Sequence, residues 1–126
     1  MNTPITLSAK QLLELLPGDP EQLIPTIIQD GKSQQVLMLA YTNAESLRTS
    51  LKIGEAVFYS RSRQELWHKG LTSGNRMQIV SIALDCDEDT LLFTVIPSGP
   101  ACHTGEVSCF YRIYSQETTD ASSREL

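Results

Sequence analysis

Residues 77–97 read MQIVSIALDCDEDTLLFTVIP. Two apolar runs, Met77 to Leu84 and Thr90 to Pro97, flank a block of five residues in which four are acidic. Each run is short, rich in Ile, Val, Leu and Phe, and bounded by polar residues, so each predicts a strand. Between them, Asp85-Cys86-Asp87-Glu88-Asp89 reads as a solvated acidic turn or as an extended segment. In an extended segment side chains alternate, which sets Asp85, Asp87 and Asp89 on one face and Cys86 on the other. Three carboxylates on one face repel unless a cation sits among them, and hard oxygen ligands suit Mg²⁺ or Ca²⁺. The glycine and distal Glu of an EF-hand loop are absent. On the extended reading, a soft and a hard metal site sit back to back on one strand.

Working towards the N-terminus, Glu65 to His68 and Ala56 to Arg61 predict two more strands. Asn43 is a candidate N-cap for a helix running to about Lys52 and closed near Gly54. Thr26 to Asp30 and Gln35 to Tyr41 predict a hairpin turning at Gly31-Lys32-Ser33. Ser8 with Gln11 makes a capping box for a first helix, whose Leu12, Leu13, Leu15 and Leu16 give it an apolar stripe before Pro17-Gly18. On the other side, Cys109 to Tyr114 closes the ordered part, and the polar residues Ser115 to Leu126 predict a frayed tail. The sum is a β-rich α+β single domain over residues 1–114, with a mixed or antiparallel sheet and two short helices.

Composition narrows the function. The chain has 126 residues, 10 Lys plus Arg against 15 Asp plus Glu, and a net charge of −5. One domain fits that length, and an acidic surface argues against nucleic-acid binding. The longest unbroken apolar run, Val36 to Tyr41, is far too short for a membrane span. No basic segment precedes an apolar one at the start, so a secretory signal is not expected and the cytoplasm is the default compartment. Three cysteines, all in the last third, fit metal ligation or catalysis better than a disulfide framework.

Two clusters carry further chemistry. Cys102-His103-Thr104-Gly105-Glu106-Val107-Ser108-Cys109 puts two thiols and an imidazole close in sequence, donors that suit Zn²⁺. Cys86 would make a third thiolate and leave the fourth position to water, the arrangement of catalytic zinc. Buried free thiols are the alternative, and they explain Cys86 poorly because acids flank it. Arg61, Arg63, Lys69 and Arg76 gather four of the ten basic residues into sixteen positions, interleaved with Ser60, Ser62, Gly70 and Thr72-Ser73-Gly74-Asn75. Arg with hydroxyls and a Gly-bearing loop suits phosphate. Trp67 is either a core side chain, the reading favoured by spacing alone, or a platform for a base. His68 alone reads as a surface or hydrogen-bonded residue.

An ordered set of segments now resembles one family, the phosphoribosyl-AMP cyclohydrolases. They are Val36-Leu37-Met38-Leu39-Ala40-Tyr41, Ser60-Arg61-Ser62-Arg63, Leu66-Trp67, Lys69-Gly70, Thr72-Ser73-Gly74-Asn75, Asp85 to Asp89, Ala101-Cys102-His103-Thr104-Gly105 and Ser108-Cys109-Phe110. Each is weak alone; in this order, over about residues 24–114, they are specific. The family often has Met at the position of Thr42 and Glu at that of Leu71. The second departure removes a carboxylate near the presumed substrate loop, so Leu71 receives no role.

The resemblance implies hydrolytic opening of the purine ring of phosphoribosyl-AMP at N1–C6, a step of histidine biosynthesis. It implies zinc on Cys86, Cys102 and Cys109, magnesium on Asp85, Asp87 and Asp89, and one ion of each kind per subunit. It implies an intertwined homodimer whose zinc ligands come from both chains. Zinc lowers the pKa of bound water far below that of bulk water, towards roughly 7, which makes hydroxide available as the nucleophile. His103 is the candidate acid–base group, since imidazole titrates near working pH. Arg61, Arg63 and Lys69 are the expected phosphate contacts, with Trp67, Ser73, Gly74 and Asn75 completing the substrate site. Many relatives carry a fused pyrophosphohydrolase domain, for which the sequence after the polar tail leaves no room, so the expectation is a monofunctional enzyme. A zinc-stabilised binding module is the main rival. A nucleoside deaminase is a weak one, because His-x-Glu and Pro-Cys-x-x-Cys are both missing.

Overall fold

The computed structural model describes residues 4–116; the tail expected over 115–126 lies almost wholly outside them. Its elements are α1 (Ala9–Leu15), β1 (Ile24–Asp30), β2 (Val36–Thr42), α2 (Ala44–Ile53), β3 (Val57–Ser60), β4 (Glu65–His68), β5 (Met77–Leu84) and β6 (Leu91–Pro97). The order and type are those expected from the sequence. Four strands form one sheet in the order β2-β1-β6-β5, and β3 pairs with β4 in a separate two-stranded hairpin. β1 runs antiparallel to β2 and parallel to β6, and β6 runs antiparallel to β5, so the main sheet is mixed. The molecule is an α+β domain.

The core follows from alternation. Ile24, Thr26 and Ile28 of β1 and Leu91, Phe93 and Val95 of β6 are buried at every second position. With Met38 and Ala40 they meet Leu12 and Leu16 from the α1 region, Leu47 of α2 and Phe58 of β3. The rings of Phe58 and Phe93 lie 5.5 Å apart and join the hairpin to the main sheet. Two fully buried hydroxyls, Thr26 and Thr42, satisfy each other across β1 and β2 at 2.6 Å, and Thr26 is also within 3.1 Å of the Ile24 carbonyl.

Caps set the ends of the helices. Ser8 and Gln11 exchange the two capping-box bonds of α1. Asn43 and Ser46 do the same for α2, which stops at Gly54, where φ is +76°. Residues 98–116 carry neither helix nor strand. Ser108 Oγ donates to the Val36 carbonyl at 2.7 Å and the Cys109 amide to the Leu37 carbonyl at 2.8 Å, so this segment is docked on β2 all the same. No helix among the described residues is long and apolar enough to cross a membrane.

Candidate active site

Strands β2, β3 and β4 together wall a cleft of about 500 Å³ lined by Leu39, Ala40, Tyr41, Tyr59, Ser60, Arg61, Ser62 and Trp67. The Arg61 guanidinium lies 3.9 Å above the centre of the Tyr41 ring. Stacking of this kind holds a guanidinium without consuming its donors. Neither Arg61 nor Arg63 forms an ion pair among the described residues, which leaves both charges available to an anion. Trp67 is 36% exposed and tilted against Phe58 at 6.0 Å. The core position favoured by spacing is therefore corrected: Trp67 lies opposite the buried Phe58 in the hairpin register, so its ring backs on the core there while the rest of it lines the cleft.

Beside the cleft, two of the three cysteines come together. Residues 101–109 fold back on themselves through Ala101 N–H to Val107 O and Cys102 N–H to Glu106 O. This brings the Cys102 and Cys109 thiols close enough for each to bear on the other's ionisation. The Thr104 hydroxyl donates to Cys102 Sγ at 3.0 Å. That hydroxyl, and then the Thr104 amide, hold the Cys102 thiol below its ordinary pKa. Burial, and then the neighbouring Cys102, push Cys109 up. Lys69 is 8% exposed, and its Nζ donates to the Ala101 carbonyl at 2.7 Å. Burial lowers the pKa of its ammonium, while Cys109 and then Cys102 raise it. Expected on a phosphate, Lys69 is thus drawn beneath the surface beside the thiols, with its Nζ 5.4 Å from the centre of the Trp67 ring.

The acidic segment is a turn, not an extended strand. Glu88 has φ +60°, and Asp85 Oδ1 accepts from the amides of Asp89 at 3.0 Å and Thr90 at 3.1 Å. Strand alternation is therefore not what gathers the carboxylates, and the two-sided strand is corrected with it. The turn gathers them instead: oxygens of Asp85, Asp87 and Asp89 lie within 4.8 Å of one another, all exposed. Among the described residues no other group of three or more such donors converges. The Asp89 amide above all holds the Asp85 carboxyl below its ordinary pKa; desolvation opposes it, and the Thr90 amide adds to the lowering. Such an oxygen set could hold a hard divalent cation.

All three cysteines are unpaired. The donor chemistry fits zinc in part: Cys102 and Cys109 supply two adjacent thiolate positions, and an ammonium stands next to them. Cys86 stands exposed in the acidic turn and does not converge with them within one chain. His103 is exposed and has no side-chain partner among the described residues, one position from Cys102. In the 70–76 loop, Gly70 has φ +81°, and a Cβ there would strike the Asn75 backbone. Ser73 Oγ accepts from the Asn75 amide at 3.2 Å. The Asn75 side chain packs against Gly99, where a Cβ would fall 2.3 Å from Asn75 Oδ1. Arg76 faces Glu55 at 3.9 Å and so leaves the basic cluster. His68 Nε2 meets the same carboxylate at 2.8 Å, in keeping with a hydrogen-bonded role. Sequence reading passed over Tyr41, Tyr59 and Thr104. Only the placement of Thr104 two residues beyond Cys102 hinted at a hydroxyl on sulfur.

Residues 38–111 match the family model for phosphoribosyl-AMP cyclohydrolase, and that span holds every candidate site residue. The chain is 60% identical over 94 residues to the phosphoribosyl-AMP cyclohydrolase of Lacticaseibacillus paracasei, a match covering 75% of this chain and 86% of that protein. It is 54% identical over 95 residues to the protein of the same name from Listeria innocua, covering 75% and 90%. A match of 57% over 102 residues joins it to the histidine biosynthesis bifunctional protein of Caldanaerobacter subterraneus subsp. tengcongensis. There it covers 81% of this chain and 50% of the relative, so the chain spans about half the length of that bifunctional protein.

Proposed function

The chain belongs to the phosphoribosyl-AMP cyclohydrolase family and is an enzyme of that kind, and from this premise we propose that it opens the purine ring of phosphoribosyl-AMP at N1–C6 as a metal-dependent homodimer. The step belongs to histidine biosynthesis. One water is consumed. Its oxygen bonds to C6, which becomes the carboxamide carbon and keeps the exocyclic amine. N1 leaves with the electron pair of the broken bond and gains a proton, giving the formimino-aminoimidazole carboxamide ribonucleotide.

The cleft supplies binding. Arg61, held over Tyr41, offers its donors to a phosphate, with Arg63 and the Ser60 and Ser62 hydroxyls beside it. The exposed face of Trp67 takes the planar base. Ser73, Gly74 and Asn75 line the neighbouring loop. His103, exposed and adjacent to Cys102, takes a proton from the attacking water and returns one to N1.

Cys102 and Cys109 hold zinc together with Cys86 of the partner subunit, one ion per subunit. When bound, zinc supplies Lewis acidity and a water that ionises near neutral pH. Asp85, Asp87 and Asp89 take one magnesium per subunit and, by neutralising their mutual repulsion, brace the turn that presents Cys86. Unpaired cysteines fit a reducing compartment, the cytoplasm.

The observation that carries this reading is the pair of adjacent thiols beside an aromatic cleft with uncommitted arginines. Supplying phosphoribosyl-AMP with zinc and magnesium, and following ring opening by ultraviolet absorbance, tests it. Turnover that stops on chelation and returns with zinc is expected. Turnover untouched by exhaustive chelation refutes the metal dependence, and no turnover from folded, zinc-loaded protein refutes the reaction.

A further inference from the structure

We propose that Lys69 is a positioning residue for the thiol pair: its buried ammonium, anchored on the Ala101 carbonyl, supplies the fixed positive charge that holds Cys102 and Cys109 as a metal-binding pair. This rests on the zinc reading of those thiols and extends it to a residue that is not itself a ligand.

A lysine withdrawn from water needs a negative partner. Among the described residues Lys69 has no carboxylate partner. Among the described residues, the single hydrogen bond of its ammonium goes to a neutral carbonyl, at 2.7 Å, on the residue preceding Cys102. The centre of the Trp67 ring lies 5.4 Å from Nζ. What remains is the sulfur pair. Two thiolates side by side repel, and a third from another chain gives a Zn²⁺ site a net charge of −1. An ammonium at its edge brings the assembly to neutrality and lowers the cost of gathering the sulfurs. The backbone is shaped to deliver it. The Lys69 amide bonds to the Ala56 carbonyl at 3.1 Å, where β4 leaves the hairpin. The next residue, Gly70, takes the left-handed conformation that turns the chain away and leaves the Lys69 side chain pointing inward.

The test is zinc affinity by competition with a chromophoric chelator, on the full chain. Lys69→Gln keeps a donor for Ala101 and removes the charge; Lys69→Arg keeps both. Lys69→Gln is expected to bind zinc about 10- to 100-fold more weakly, the range for groups just outside a metal's ligands. Lys69→Arg is expected to recover most of that loss. Lys69→Gln with the parent's affinity overturns the assignment, and so does an equal loss in both variants, which marks a role of shape alone. Should Lys69→Gln fail to fold, Lys69→Met, of similar length and uncharged, carries the same comparison. A parent protein that takes up no zinc overturns the zinc reading and this assignment together. A parent that binds zinc, with variants that match it, overturns this assignment only.

Discussion

Arg61 and His103 divide binding from chemistry, and single substitutions separate them. Arg61 has no carboxylate to leave behind, and its guanidinium is already aimed by Tyr41. A charge-assisted hydrogen bond contributes about 1.5–3 kcal/mol. Arg61→Ala is therefore expected to raise KM for phosphoribosyl-AMP about 10- to 100-fold, with kcat changed far less; a KM within twofold of the parent removes Arg61 from the phosphate site. His103 is exposed and its side chain makes no hydrogen bond or ion pair among the described residues, so His103→Ala is expected to keep its zinc and lose kcat by about a hundredfold or more. Steady-state kinetics with a zinc assay on the same sample checks both halves, and undiminished kcat excludes the acid–base role. At this scale residue types were legible and surroundings were not. Arg61 and Trp67 could be singled out from their neighbours in the chain. The stacking of Arg61 on Tyr41 and the withdrawal of Lys69 depend on strands that meet only in the fold.

Elements respond through their joints. Ser50 of α2 is fully buried, and its hydroxyl both donates to the Val57 carbonyl at 3.0 Å and accepts from the Val57 amide at 2.9 Å. Ser50→Ala strands both backbone groups, and denaturant unfolding is expected to show a loss of about 1–3 kcal/mol; an unchanged midpoint would mean that water or a backbone shift replaces the hydroxyl. The turn between β5 and β6 responds to pH. The Asp85 carboxyl titrates below its ordinary value because the amides of Asp89 and Thr90 bond to the charged form. Its contribution to stability is thus present above the unfolded pKa and is lost as pH falls through the lower, folded one. In metal-free protein, the gap in melting temperature between the parent and Asp85→Asn is expected to narrow over that acidic window. A gap that is constant with pH contradicts it. Strand and helix positions were legible because alternation, caps and turn residues are local signals, as Ser8 with Gln11 and Asn43 with Gly54 illustrate. The acidic turn was open to misreading as a strand because alternation and a tight turn gather the same three aspartates. What separates them is the left-handed residue at Glu88, a backbone property with no sequence mark.

At the scale of the whole molecule, one chain brings two cysteines together and leaves the third apart. The sheet order β2-β1-β6-β5 puts the turn carrying Cys86 at the end of β5, on the edge opposite β2, where Cys109 is docked. That parallel β1–β6 pairing, set by contacts distant in sequence, is the part of the fold that local patterns do not encode. The proposed zinc centre is therefore a composite of two subunits, and mixing of subunits tests it most directly. Cys86→Ser and Cys109→Ser, each alone, are expected to lack zinc and turnover. Unfolded together in equal amounts and refolded, about half the dimers pair one variant with the other, and each hybrid rebuilds one complete site, restoring about a quarter of the parent's zinc and activity. Recovery at that level is the predicted result. No recovery from a mixture shown to contain hybrid dimers, or full zinc in either variant by itself, contradicts the shared centre.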